Sequence, residues 1–130
     1  MVMRVIIKHY NSGIGENQYD FFTQFVKFLQ KHFPLKHDIT ICFLGERVGQ
    51  MTTGSRRPHM INILSKNRMN RDICRTLAHE WVHEYQLEIL NREMGPDIGG
   101  ENEDEANSEA GKLIKMFEKE FPDSEPLMYE

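Results

Sequence analysis

The stretch "NRDICRTLAHEWVHEYQLEILNRE", residues 70–93, constrains the fold more than any other part of the chain. Its apolar positions Ala78, Val82, Tyr85 and Ile89 recur at helical spacing, so one stripe must face a core. Asn70 is placed to cap the N-terminus and "MGP" to stop the C-terminus, which predicts a helix over 71–93. His79 and His83 stand off the apolar stripe. Four residues apart on a helix, they point the same way, about 40° from each other. Glu80 lies about 100° round from His79, at the edge of the same face. A fold that accepts this segment must bury one side of the helix and open the imidazoles onto a cleft.

The remaining segments supply the layer that such a helix packs against. "MRVIIKHY" reads as a β-branched strand closed by the turn signal "NSGIGEN". Phe22, Phe25, Val26, Leu29 and Phe33 then mark an amphipathic helix ended by Pro34. "DITICFLG" and "RPHMINILSK" are two further strands, with "GQMTTGSRR" between them as a connector or hairpin arm. A last helix over 102–120 carries Ala106, Ala110, Leu113 and Phe117 on one stripe, with Pro122 just beyond. This order predicts an α+β domain: a small mixed sheet of three to four strands, with about three helices on one face. The domain spans 1–121, and the proline-bent, acidic "FPDSEPLMYE" leaves residues 122–130 as a C-terminal tail.

Composition sets limits on function. The 130 residues suffice for one domain with a core. No apolar run is long enough to cross a bilayer, and the first residues do not read as a signal peptide, so a cytoplasmic protein with no membrane partner is expected. Cys42 and Cys74 fit neither a disulfide framework nor a zinc knuckle, and are expected to be reduced and buried. The net charge of −4 hides a basic run, 56–75, where Arg56, Arg57, Lys66, Arg68, Arg71 and Arg75 face only Asp72. Such a strip is the one feature that suits nucleic acid.

The sharpest chemical signal is "HEWVH", 79–83. Two imidazoles at this spacing suit two positions of a tetrahedral zinc ion, and Glu80 can reach a water on the metal without being a ligand. A third ligand is needed, and the next helix opens with "ENEDEANSEAG". Glu103, Asn107, Ala110 and Ile114 share one face of that helix, while Ala106 and Ala110 allow close helix packing. Glu101, Glu105 and Glu109 are competitors, and acids at a helix start also complement its dipole.

With "HEWVH" followed by "EDEAN" and "SEAGKLI", the chain resembles the gluzincin class of zinc metallopeptidases, in its small ImmA/IrrE-type and M48-type forms. The resemblance covers roughly residues 70–114. It implies a zincin-like minimal core holding one Zn2+ per chain through His79, His83 and Glu103. It also makes Glu80 the general base and puts Asn107, where such enzymes often have aspartate, in contact with a ligand histidine. The implied activity is endopeptidase hydrolysis of a protein or peptide by zinc-activated water.

The substrate is expected to add to a sheet edge. The candidate edge is the strand carrying His59, Met60, Ile61 and Asn62, and His59 and Tyr85 are candidates to polarise the scissile carbonyl. Residues 122–130 read first as a disordered terminus, and the alternative is a segment folded back over the cleft that holds the enzyme latent. Two other readings use the same residues: a non-catalytic, zinc-stabilised protein-binding module, which does not need Glu80, and a DNA-associated protease of the SprT kind, which would use the basic run.

Overall fold

The computed structural model describes residues 3–49, 51–92 and 100–130. The elements follow in the order β1 (Val5–Tyr10), α1 (Glu16–His32), β2 (Ile39–Leu44), β3 (Gly54–Arg57), β4 (Met60–Leu64), α2 (Asn70–Glu88), α3 (Glu101–Glu120), a 3-10 turn (Pro122–Ser124) and α4 (Glu125–Met128). The domain is α+β, as the alternation of strand and helix patterns requires.

The four-stranded sheet has the order β1-β2-β4-β3. β1 and β4 both run parallel to β2, and β3 pairs antiparallel with β4 along Gly54↔Ile63 to Arg57↔Met60. Parallel pairing needs a crossover, and α1 supplies the one between β1 and β2. The two-residue alternation of a strand sorts the sheet faces. Ile41, Phe43, Ile61 and Ile63 join the helices in the main core, while Cys42, Leu44 and Leu64 form a small cluster with Met51.

The helices meet over the first of these faces. α1 buries Phe21, Phe22, Phe25, Val26, Phe28 and Leu29. Phe117 of α3 packs edge-on against Phe21, Phe25 and Phe28, the geometry favoured by aromatic quadrupoles. On α2 the core face is Ile73, Cys74, Leu77, Ala78, Trp81 and Val82. Tyr85 and Ile89, expected on that stripe, are only half buried, Tyr85 packing on the rim of the core against Phe33. The Trp81 indole N–H donates to the Phe33 carbonyl at 2.9 Å and so satisfies a buried polar pair. Both cysteines are buried and free, and burial pushes the Cys74 thiol well above its ordinary range.

Three local expectations change. Asn70 is the first residue of α2 rather than its cap. Its side-chain oxygen accepts from Gln18 and its side-chain nitrogen donates to Leu127 O, so long-range partners take the groups that a cap would use. The helix ends at Glu88, and the expected stop at "MGP" lies outside the described residues. Residues 122–130 are part of the domain rather than a loose tail. Met128 is fully buried in the main core, and the Asn70 N–H donates to Glu130 O at 2.8 Å. The segment is docked at the N-terminal end of α2, so it does not cover the histidines, and latency through it has no structural basis.

Candidate metal centre

α2 and α3 pack side by side, with Ala106 and Ala110 fully enclosed between them. That close approach lets Glu103, in the first turn of α3, reach the histidine face of α2. Its Oε1 lies 2.9 Å from His79 Nε2 and its Oε2 lies 2.9 Å from His83 Nε2. The two imidazole Nε2 atoms are 3.1 Å apart. Three side chains thus aim their donor atoms at one point. A tetrahedral zinc ion with ligands at its usual distances sets its donors about 3.3 Å apart, so the triangle is of the right size and slightly contracted.

The neighbours fix which atoms these are. Gln86 Nε2 donates to Asn102 O and Glu105 Oε1. Its amide is thereby oriented, and Gln86 Oε1 faces His83 Nδ1 at 2.9 Å. An amide oxygen can only accept, so Nδ1 carries a proton, and in the neutral ring Nε2 presents its lone pair towards the Glu103 carboxylate. Two imidazoles and one carboxylate are a donor set that a divalent cation suits.

His79 is hydrogen-bonded by Glu103 and Asn107; burial is the largest influence on it and lowers its pKa, which favours the neutral, metal-binding form. Asn107 therefore touches His79, one candidate ligand, and Gln86, one turn beyond His83, serves the other. Glu105 reaches Gln86 and Arg92 instead of the triangle, and Glu109 pairs with Lys112.

Glu80 lines the same cleft, which has a volume of about 520 Å³. Burial raises its pKa, while His83 and Arg56 pull it down and Glu103 adds to the rise. A carboxylate pushed upward is better placed to hold a proton than a solvated one. Thr52, Thr53 and Gly54 from the β3 side and Arg75 and Thr76 from α2 also line the cleft. Gly54 is required by the close approach of β3 to α2: a Cβ there would lie 2.6 Å from Thr76 Cγ2 and 3.4 Å from Glu80 Cγ.

The predicted substrate edge is corrected. Met60, Ile61 and Asn62 belong to β4, whose backbone is paired with β2 on one side and β3 on the other. His59 occupies the turn between β3 and β4, and its N–H donates to Glu84 Oε1. The strand beside the cleft with an unpaired side in the sheet is β3. Tyr85 stacks edge-on against Phe33, and neither it nor His59 lines the cleft.

Much of the basic run is engaged within the chain. Arg56 pairs with Glu84, Arg71 with Glu118, and Arg68 donates to Leu64 O, Asp72 O and Thr76. Gln86, Gly54 and the Arg56–Glu84 pair were not singled out by sequence. Gln86 had a signal: it stands three residues past a candidate ligand, on the same helix face.

No protein-family model matches the chain, and no curated protein or solved structure matches it either. Among the described residues, no helix is long and apolar enough to cross a membrane.

Proposed function

We propose that the chain is a zinc-dependent metallopeptidase of the gluzincin type. The observation that carries this reading is the convergence of His79, His83 and Glu103, with His83 Nε2 turned on a carboxylate oxygen and Glu80 lining the same cleft. Zinc bound by these three side chains would supply a Lewis acid and lower the pKa of a water to about 7.

The chain's own groups do the rest. Gln86 holds the His83 ring, and Asn107 the His79 ring. Glu80, its pKa raised by burial, takes the proton from the water and returns it to the departing amine. An extended peptide pairs with the open side of β3, which runs along the cleft at Gly54. The arrangement favours peptides over small amides because a sheet edge recognises backbone.

The test is Glu80→Gln. It should leave metal binding by His79, His83 and Glu103 intact and reduce peptide cleavage by a factor of about 10²–10⁴. A variant that still cleaves at the wild-type rate removes Glu80 from the mechanism. The rival reading is a metal-stabilised binding module, which is favoured if wild type binds zinc through the three ligands yet cleaves no peptide from a diverse library.

A further inference from the structure

A second group of donors lies outside the cleft, and the reading of the first site does not bear on it. Glu84 and Glu88, one helical turn apart on α2, meet His59 of the β3–β4 turn. Both carboxylates are almost wholly buried, with side chains 1% and 5% exposed. Glu84 Oε2 is paired with Arg56 at 2.7 Å, and Glu84 Oε1 faces the His59 N–H at 3.0 Å and His59 Nδ1 at 3.3 Å. Glu88 Oε1 accepts the N–H groups of Lys36 and His37. Glu88 Oε2 is different. It is buried with no hydrogen-bond partner and lies 3.9 Å from His59 Nδ1, beyond hydrogen-bonding reach.

An unpaired carboxylate oxygen in the interior is costly. Arg56 pairs with Glu84, and Glu88 Oε2 has no such partner although it lies beside an imidazole nitrogen. The donor atoms of His59, Glu84 and Glu88 all lie within 4.8 Å of one another. The 3.3 Å edge matches the donor separation around a tetrahedral ion of zinc size, about 3.3 Å, and closing the 3.9 Å edge to that length takes a shift of about 0.6 Å on a half-exposed His59 side chain. A further imidazole, His37, stands 5.0 Å from that of His59 between ring centres.

We infer that His59, Glu84 and Glu88 form a second divalent-cation site, on α2 outside the cleft. Glu88 Oε2, Glu84 Oε1 and His59 Nδ1 are the ligand atoms. One imidazole with two carboxylates selects a first-row transition ion such as zinc over magnesium or calcium, which prefer oxygen alone. The ion ties the β3–β4 turn to the C-terminal half of α2, and Lys36 and His37 hold Glu88 from the α1–β2 connection. It therefore fixes β3 from the end remote from Gly54.

The test is zinc stoichiometry by equilibrium dialysis and elemental analysis, with magnesium in excess. Wild type is compared with His59→Asn, Glu88→Gln and Glu103→Ala, each checked for native circular dichroism. Asparagine is chosen because His59 has φ 62°, a backbone region that asparagine tolerates. His59→Asn and Glu88→Gln should each lose one zinc equivalent relative to wild type. Glu103→Ala should still bind the equivalent that those two lose. Should Glu88→Gln fail to fold, His59→Asn decides alone, since it alters an exposed turn. Wild-type stoichiometry in His59→Asn overturns the proposal. If Glu103→Ala binds as much as wild type while His59→Asn loses an equivalent, the second site stands and the cleft site fails.

Discussion

Gly54→Ala tests whether the approach of β3 to α2 is as tight as the cleft geometry requires. The new Cβ would stand 2.6 Å from Thr76 Cγ2. Carbon atoms in contact sit about 3.5–4.0 Å apart, so roughly 1 Å of overlap has to be relieved. Thr76 cannot yield easily. It is β-branched on a helix, largely buried, and its hydroxyl accepts from Arg68 at 3.0 Å. Overpacking of this kind costs about 1–3 kcal/mol, against a gain of about 0.5–1 kcal/mol from removing a glycine in a strand. A net destabilisation of about 0.5–2 kcal/mol is expected. Thr76→Ser deletes the clashing methyl and keeps the hydroxyl, so in that background Gly54→Ala should cost little. The assay is urea unfolding followed by the fluorescence of Trp81, the one tryptophan of the chain. The double-mutant cycle should give a coupling of about 1 kcal/mol or more. Equal cost of Gly54→Ala with Thr76 or Ser at the helix position refutes the steric argument.

Other outcomes follow from the same packing. Met128→Ala should destabilise by about 2–5 kcal/mol in urea unfolding, because Met128 is fully buried in the main core; deleting residues 123–130 should likewise lower stability rather than release activity. Arg56→Met should cost about 3–5 kcal/mol at neutral pH in chelator-treated protein, since it strands the buried Glu84 carboxylate; a loss under 1 kcal/mol there means that Glu84 has another counter-charge. Asp38 is held below the ordinary aspartate range by the Arg4 N–H and guanidinium. Its folded pKa is depressed, so its contribution is present above the unfolded value and fades as pH falls through the folded one. The stability gap between wild type and Asp38→Asn should therefore be constant above about pH 5 and close on acidification, as read from unfolding midpoints across pH.

The helices were legible because they depend on periodicity, and so was much of the convergence of His79, His83 and Glu103. His79, Glu80 and His83 share a face by helical spacing alone, while Glu103 was singled out among its neighbouring acids through the resemblance carried by "EDEAN", with the alanine stripe of α3 in support. The sheet edge was not legible. β3 is only four residues, "GSRR", with no alternating apolar pattern, so its place outside β4 comes from the hairpin and from packing on α2. The fate of residues 122–130 was hidden too. Their prolines and acids suggest a solvated tail, and only the room left in the core beside α2 gives Met128 and Leu127 somewhere to go. Asn70 shows the same limit: a good local cap is overruled when distant groups compete for its side chain.

Asn70 also bears on the order in which the molecule assembles. Its bonds to Gln18 and Leu127 span 52 and 57 residues of chain. Closing loops of that size is entropically expensive until the surrounding contacts are in place. A joint between such distant segments is expected to close late in folding. Interactions made after the rate-limiting step do not speed folding, but they must be broken on the way out. Asn70→Ala should then quicken unfolding of the helix that carries His79 and His83 more than it slows refolding, with Asn70 acting as a latch.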